Sequence, residues 1–207
     1  MLVRHGRPIQ YAHILKPLRL WDVWTKIAAD PTAFESPSAG FALDWRTLKR
    51  WRERGVGFAT LSHAAGLSST GDAALDRRLP FEEFYRIPEA CASAIEAAKS
   101  RSGRVIAIGT SVVRALESAA SAAGTVRIGE GRANGRIVRG APLRVVDAIL
   151  TGVHQPGESH YELLRAFADD RVLYRVRAAV NERGYRAHEF GDSLLIERQA
   201  AGAKAPN

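Results

Sequence analysis

The stretch RVIAIGTSVVRALES, residues 104–118, decides the fold of this chain. Its first half, residues 104–109, is a compact β-branched run that ends in glycine, which predicts a short strand. Thr110 and Ser111 follow at a tight turn, and the spacing after them predicts a helix over 112–123. Because a helix predicted over 90–99 precedes the strand, the segment is an α/β unit.

The same pattern continues in both directions along the chain. Periodicity and turn residues predict helices over 20–29, 46–54, 159–168 and 171–183, strands over 56–61 and 193–196, a surface loop over 66–78, a hairpin over 126–138 and an apolar segment over 143–150. With neither a repeat nor a linker in the sequence, we expect one α/β domain over 1–199, built on a mixed sheet with flanking helices. The small, polar residues 200–207 predict a disordered tail.

Charge points to the class of partner. The 207 residues include 30 Lys and Arg against 22 Asp and Glu, a formal net charge of +8. This excess favours a polyanion such as nucleic acid, because each neutralised phosphate releases counterions. Cys91 is the single cysteine, so no intramolecular disulfide can form, and its Ala-rich context predicts a core thiol. No apolar run has signal-peptide or membrane-span length, which predicts a cytoplasmic protein without a membrane partner.

Gly109, Thr110 and Ser111 form the first candidate site. Amides at a helix N-terminus, with hydroxyls beside them, attract a phosphate or a carboxylate. The same residues are also typical of a simple turn with a helix cap. Arg114 and Glu117 lie one turn into the predicted helix on one face, where they form either a surface ion pair or part of a ligand site.

The second candidate site is HQPGESH, residues 154–160, a predicted loop that leads into a helix. Histidine transfers protons near neutral pH, whereas zinc binding is disfavoured because His154 and His160 lack the i, i+4 spacing of helical ligands. Solvated loop residues are the alternative. Gly191 and Asp192 precede the last predicted strand, where they form either a β-turn or part of a site.

All four tryptophans lie in the first quarter of the chain, interleaved with arginines. They are Trp21, Trp24, Trp45 and Trp51. Aromatic side chains beside arginine suit base stacking and phosphate contact in a nucleic-acid site. Helical spacing favours the alternative that these side chains pack in the core while the arginines face water.

Four blocks, taken in order, resemble the S-adenosylmethionine:tRNA ribosyltransferase-isomerase family of queuosine biosynthesis, over about residues 7–196. Residues 104–118 resemble the family's R-V-I-A-V-G-T-T-S-V-R-x-L-E-S, and VDAILTGVHQPGES at 146–159 resembles V-D-x-L-x-T-N-F-H-L-P-x-S-T. PSAGF at 37–41 resembles P-T-A-G-L-H-F, and Tyr185-Arg186 with Gly191-Asp192 resembles Y-R-F-F-S-Y-G-D.

Two segments depart from the family pattern. TLSHAAGLS at 60–68 resembles T-L-H-V-G-x-G-T-F with the histidine displaced by one position, and LPFEE at 79–83 keeps only Glu83 of D-H-x-M-H-x-E. The family's amino-terminal portion, which includes a β-barrel, has no counterpart in this sequence. The resemblance therefore implies a shortened, divergent member.

The resemblance implies a reaction that transfers the ribosyl moiety of S-adenosylmethionine to a 7-aminomethyl-7-deazaguanine base in tRNA and isomerises it to give epoxyqueuosine. S-adenosylmethionine serves as the donor substrate, tRNA is the partner, and no metal is implied. The residues implied in proton transfer are His154, Glu117, Asp192 and Glu83. The binding positions implied for S-adenosylmethionine or tRNA are Ser38, Gly40, Thr60, Gly109, Thr110, Ser111, Arg114, Ser118, Pro156, Ser159 and Gly191.

Two further hypotheses stay open at the level of sequence. One is a catalytically impaired paralogue that binds RNA or S-adenosylmethionine without turnover. The other is a truncated fragment of a longer protein. Neither the tRNAs that bind nor the oligomeric state can be read from the sequence.

Overall fold

The structure, a computed structural model, describes residues 7–8, 14–26, 33, 35, 37–67, 70–187 and 191–198. Its helices are α1 (Trp45–Glu53), α2 (Ala73–Asp76), α3 (Glu89–Ser100), α4 (Thr110–Ala119), α5 (Ser159–Leu164) and α6 (Asp170–Glu182), with 3-10 turns at Leu20–Asp22 and Ser38–Ala42. Its strands are β1 (Ser62–His63), β2 (Glu83–Ile87), β3 (Ile106–Ile108), β4 (Gly129–Ala133), β5 (Ala148–Gly152) and β6 (Ser193–Glu197). The expected disordered tail lies outside the described residues.

The strands form two sheets of three strands each. The first is antiparallel with the order β1-β2-β4, and the second has the order β3-β5-β6. In the second sheet β3 runs parallel to β5, with Ile108 opposite Leu150, whereas β6 runs antiparallel to β5, with Ser193 opposite Gly152. The mixed sheet is thus present, but the expectation of a single sheet is wrong, because among the described strands β1, β2 and β4 pair with each other and form a second sheet.

One apolar core joins the two sheets, and α4 lies at its centre. The alternation of apolar and small residues along α4 buries Val113, Leu116 and Ala119 on the side that faces the strands. Ile87 from the first sheet and Ile149 from the second belong to the same core cluster. Each buried side chain of this size stabilises the fold by roughly 1.5–3 kcal/mol. Helix α4 therefore stabilises the packing of the two sheets in one core.

The predicted strand 104–109 and the helices near 46–54, 90–99, 159–168 and 171–183 are confirmed, with ends displaced by a few residues. The last strand is confirmed as β6, and Cys91 is confirmed as a buried thiol whose pKa is raised by burial. The helix predicted after Ser111 begins one residue before it, at Thr110, and ends at Ala119. No helix among the described residues is long and apolar enough to cross a membrane.

Four predicted elements are wrong. Residues 56–61 do not form a strand: apart from Leu61 they are exposed, and they lack a paired neighbour among the described strands. Residues 20–26 form a short 3-10 turn and then an extended segment, in which Val23 and Thr25 are buried and Trp24 is exposed, the alternation of an extended chain. The rest of that predicted helix, 27–29, lies outside the described residues.

The other two misses concern local turns. The predicted loop 66–78 contains the one-turn helix α2, whose first amides bind the Asp72 carboxylate. The predicted hairpin 126–138 supplies a single strand, β4, which pairs with β2 instead of with its own return segment. The glycines at 129, 131 and 135 suggested a local hairpin, but the pairing is with a strand more than forty residues upstream.

Candidate functional site

The polar motifs gather at one edge of the mixed sheet. Because β3 and β5 are parallel, their carboxyl ends meet there, and the start of the antiparallel β6 lies beside them. The Gly109 amide donates to the Leu150 carbonyl at 2.8 Å, which ties the end of β3 to β5. Ligands of α/β proteins bind outside the carboxyl ends of parallel strands. The chain therefore brings the predicted 109–111, 154–160 and 191–192 segments to one place.

Gly109 sets the sharp turn from β3 into α4. Its φ of 96° is in a region that favours glycine, and it is the N-cap residue of the helix. The amides of Thr110 and Ser111 begin α4 and have no backbone acceptor within the described part of the chain. A helix N-terminus carries partial positive charge, which favours an anionic group at this end.

A cleft of about 430 Å³ lies at the same edge of the sheet. Its lining residues are Asp22, Ser38, Ala39, Phe41, Ala42, Gly152, His154, Gly191, Asp192 and Ser193. This volume is in the range of pockets that hold small molecules. Four residues predicted from three separate motifs, Ser38, His154, Gly191 and Asp192, thus line one cavity.

The 3-10 turn Ser38–Ala42 forms one wall of the cleft and packs against the start of α4. Gly40 is buried inside this turn, and the Ala39 side chain lies 3.6 Å from the position that a Cβ on Gly109 would occupy. A larger residue at 109 would therefore be strained by its φ, while its Cβ would meet Ala39 at an ordinary van der Waals distance.

His154 is held on both sides of its ring. Its Nε2 lies 2.9 Å from Thr151 Oγ1, and its Nδ1 lies 3.8 Å from Glu158 Oε2. The same carboxylate accepts from the Gln155 amide at 2.9 Å, which fixes it beside the ring. The His154 side chain is only 9% exposed. This placement gives His154 a defined orientation at the cleft, the condition that proton transfer requires.

His160 packs behind His154, with ring centroids 4.8 Å apart. It also lines a small cavity of about 20 Å³ beside Arg114, which has room for about one water molecule. Burial, together with the charge of Arg114, lowers the pKa of His160 to about 4. His160 is therefore neutral at physiological pH.

Gly191 and Asp192 fit both alternatives that the sequence left open, a turn and part of a site. The Asp192 carboxylate accepts from the Arg186 amide at 2.8 Å, and the Arg186 carbonyl accepts from the Asp192 amide at 2.9 Å. These bonds close a loop between α6 and β6. The loop presents Asp192 at the cleft, so the residue is both a turn former and a lining residue.

Glu83 and Arg114 are placed away from this cleft, in a buried cluster that joins α4 to the first sheet. The Arg114 guanidinium donates to the Glu83 carboxylate and to the carbonyls of Phe81 and Ala133 at 3.0 and 3.1 Å. The other Glu83 oxygen accepts from the Gly66 amide at 2.7 Å. Arg114 is 5% exposed and burial lowers its pKa to about 10. The expected Arg114–Glu117 surface pair is therefore wrong, because Arg114 points into the core.

His63 completes this cluster. Its Nε2 lies 3.3 Å from Glu83 Oε2, its side chain is 5% exposed, and neither ring nitrogen has a hydrogen-bonding partner among the described residues. Burial first, and the Arg114 charge second, lower its pKa to about 4. In the sequence His63 is only the displaced histidine of the 60–68 segment. It lies in β1, which pairs with the Glu83 strand β2, and no local sequence signal records that pairing.

Glu117 occupies a third environment. Its carboxylate accepts from three successive backbone amides, those of Arg144, Val145 and Val146, at 2.7 to 3.0 Å. These bonds hold the segment that leads into β5. The carboxylate does not line the cleft, and this geometry favours a structural role over the proton transfer that the resemblance implied.

The remaining predicted binding residues are dispersed. Thr60 is exposed in the extended segment before β1, and Pro156 is exposed in the turn after His154. Ser118 lies near the end of α4, and Ser159 begins α5 and lines the small cavity beside Arg114. None of the four lines the cleft. The cleft residues Asp22 and Phe41 were missed, because no charge or spacing signal marks them.

The tryptophans contradict the favoured core interpretation. Trp21 is 76% exposed and Trp45 is 68% exposed, while Trp51 stacks on Phe58 with ring centroids 5.8 Å apart. Helix α1 buries none of its residues. No group of three or more His, Cys, Asp or Glu suited to a metal ion occurs among the described residues.

The fold and the cleft define a class: an α/β protein with a small-molecule cleft at the carboxyl edge of a mixed sheet, next to a helix N-terminus. The model of the queuosine biosynthesis protein family matches residues 2–196. The chain belongs to this family.

Individual relatives agree with this assignment. The chain is 40% identical over 188 residues to the S-adenosylmethionine:tRNA ribosyltransferase-isomerase of Sorangium cellulosum, which covers 88% of this chain and 49% of that protein. It is 38% identical over 173 residues to the protein of the same name from Gloeobacter violaceus, covering 82% and 49%. This chain thus spans about half the length of these curated relatives.

A solved structure is also similar. The S-adenosylmethionine tRNA ribosyltransferase of Thermotoga maritima matches with a TM-score of 0.60 at 24% identity, over 76% of this chain and 50% of that one. This likeness supports the fold.

Proposed function

We propose that the cleft binds S-adenosylmethionine and that the chain acts in the transfer and isomerisation of its ribosyl moiety to a 7-aminomethyl-7-deazaguanine base in tRNA, giving epoxyqueuosine. The observation that carries this proposal is the convergence of Ser38, His154, Gly191 and Asp192 on one cleft. The names of the relatives support the substrate class.

The chemistry of the donor explains what the cleft must supply. The sulfonium acidifies the neighbouring ribose carbon and makes methionine a good leaving group, so a base is required at that carbon and a proton donor at the departing adenine. His154 is oriented at the cleft by Thr151 and lies near the Glu158 carboxylate, which suits a group that takes up and returns a proton. Asp192 is the second titratable cleft residue that came from the motifs.

The proposal also includes a binding position for an anionic group of the substrate. The free amides at the start of α4 attract the methionine carboxylate or a tRNA phosphate. Arg114 is excluded from direct contact in the proposal, because Glu83 neutralises it in the core. In the proposal Glu83 and Glu117 take structural roles, the first holding α4 against the first sheet and the second holding the segment that leads into β5.

Release of adenine from S-adenosylmethionine, in the presence of tRNA that carries the aminomethyl base, tests the proposal. We expect His154→Ala to abolish methionine and adenine release and Asp192→Asn to reduce it by about tenfold or more. Glu96→Gln removes one exposed carboxylate from α3 and is the matched control for Asp192→Asn. Turnover at the wild-type rate in His154→Ala contradicts the role given to His154.

The second candidate is a protein that binds these ligands without turnover. It is favoured by the engagement of Glu83 and Glu117, two of the four residues expected in proton transfer, in hydrogen bonds outside the cleft. Calorimetric binding of S-adenosylmethionine by the wild type, without adenine release under any condition with modified tRNA, would support this candidate instead of the enzyme.

A further inference from the structure

The outer face of α6 and the residues after it carry a series of exposed arginines. Between residues 171 and 186 the chain has five arginines and a single acidic residue, Glu182. At about 100° per residue, Arg171, Tyr174 and Arg175 share the exposed side of α6, opposite the buried Leu173 and Val180. We call the exposed residues Arg171, Tyr174, Arg175, Arg177, Arg183 and Arg186 the α6 basic face.

The charges of these arginines are not neutralised by a carboxylate among the described residues. Arg104, Arg132, Arg139, Arg165 and Arg198 all pair with carboxylates. On the α6 basic face, by contrast, no arginine side chain has a carboxylate partner within the described ranges. The nearby Asp170 is already held by Arg139 and Arg165. The cations of this face are thus available to an external polyanion.

The α6 basic face adjoins the wall of the cleft at one residue, Arg186. Arg186 is joined to Asp192 by two hydrogen bonds, from the Arg186 amide to the carboxylate and from the Asp192 amide to the Arg186 carbonyl. Asp192 itself lines the cleft. These two hydrogen bonds place the Arg186 end of the α6 basic face next to a residue that lines the cleft.

The chemistry of the face identifies the kind of polyanion. Tyr174 is 71% exposed and stands between arginines, an arrangement that suits contact with both sugar-phosphate and base. Ala178 is the only apolar residue on the outer stripe of α6, so the helix lacks the apolar face with which amphipathic helices enter a lipid surface. RNA fits this face better than a membrane.

We infer that the α6 basic face is the surface on which the phosphate backbone of a folded RNA docks, so that a nucleotide next to the docked strand can enter the cleft. This inference rests on the proposed function for its RNA partner. It adds the surface, the contact residues and their orientation relative to the cleft.

Fluorescence anisotropy of the whole chain with a dye-labelled, unmodified tRNA transcript tests the inference, at salt concentrations between about 50 and about 200 mM. The test variant is Arg171→Gln with Arg175→Gln. The control is Arg101→Gln with Arg127→Gln, which removes the same charge. The backbone amide of Arg127 donates to the carbonyl of Ala119 at the far end of α4, about 14 Å along the helix from the cleft edge, and Arg101 precedes the opposite end of β3.

We expect the test variant to bind the transcript about tenfold more weakly at the lower salt concentration, and its salt slope to fall by about 1 to 2, because each lost phosphate contact contributes about 0.9. The control should stay within about twofold of the wild type. Equal losses in the two variants, or no loss in either, overturn the inference and leave the proposed cleft function standing.

Two further readouts separate the possible failures. S-adenosylmethionine binding by calorimetry should be the same in the test variant and the wild type, since the cleft is intact. Failure of the wild type to bind the transcript overturns this surface and the RNA part of the proposed function together. Binding to phosphatidylserine vesicles, lost in the test variant while RNA binding is kept, assigns the face to a lipid surface and overturns the inference.

Discussion

The cleft and the buried Glu83 cluster use polar residues in opposite ways. At the cleft, His154 and Asp192 are oriented by neighbours but still face a cavity of about 430 Å³. In the cluster, Glu83, Arg114 and His63 are almost fully buried and face each other across 3.3 Å or less. Both groups came from motifs of the same family. A residue of a family motif can therefore either line a ligand site or stabilise the packing between secondary-structure elements. Its surroundings in the structure distinguish these two roles.

The largest expected effect concerns the cluster. Glu83→Gln leaves the buried Arg114 charge without its counterion, so we expect the free energy of unfolding to fall by about 3–5 kcal/mol, measured by urea denaturation. Glu82→Gln is the neighbouring control: Glu82 pairs with Arg132 at the surface, and its loss should cost about 0–1 kcal/mol. If Glu83→Gln keeps full stability but loses turnover, Glu83 acts in the reaction and the structural role given to the buried cluster is contradicted.

The next effect concerns Glu117. Glu117→Gln weakens the three amide contacts to residues 144–146, so we expect a loss of about 1–3 kcal/mol in the free energy of unfolding. S-adenosylmethionine binding per folded molecule should be unchanged. Glu96→Gln, an exposed carboxylate on α3, serves as the control and should lie within about 0.5 kcal/mol of the wild type. A selective loss of catalysis in a fully stable Glu117→Gln would restore its role in proton transfer.

A smaller effect depends on pH. The pKa values of His63 and His160 are lowered to about 4 in the folded state, so the unfolded chain binds more protons between about pH 6.5 and pH 4. Stability is therefore complete above about pH 6.5 and is lost as the pH falls, by about 1–2 kcal/mol for each histidine between pH 7 and pH 5.

His63→Gln sharpens this prediction because it removes one of the two groups. Urea denaturation at pH 7 and pH 5 measures the loss in the free energy of unfolding between the two pH values. In the variant, the part of this loss that the two histidines cause should be about half of its wild-type value. A wild-type stability that is constant over this range, or an equal loss in wild type and variant, contradicts the buried, neutral state of His63.

The sequence predicted the parts of the fold that depend on local pattern. The 104–109 run and the helix-start residues after it sufficed for β3 and α4, because their periodicity is strong and the glycine marks the turn. The antiparallel sheet was missed, since β1 has two residues and β4 pairs with a distant strand, and no local signal records such pairing.

The candidate site was predicted in the same uneven way. His154 and Asp192 were found because histidine and acid beside glycine in loops are recognisable residue types. The buried pair of Arg114 with Glu83 was not predicted. Helical spacing places Arg114 beside Glu117, but it does not indicate which strand packs against the helix. The core interpretation of Trp21 and Trp45 was wrong: it rested on helical spacing, whereas Trp21 lies in a short 3-10 turn and both rings are exposed.

The central claim is that the cleft, and not the buried cluster, binds S-adenosylmethionine. Isothermal titration calorimetry of Ala42→Trp tests it most directly, because Ala42 lines the cleft and a tryptophan there fills it. Ala97→Trp, on the exposed side of α3, controls for the added ring. We expect Ala42→Trp to bind S-adenosylmethionine at least about tenfold more weakly than the wild type, a loss of about 1.4 kcal/mol of binding free energy. Ala97→Trp should bind it with wild-type affinity. Wild-type affinity in Ala42→Trp would contradict the account.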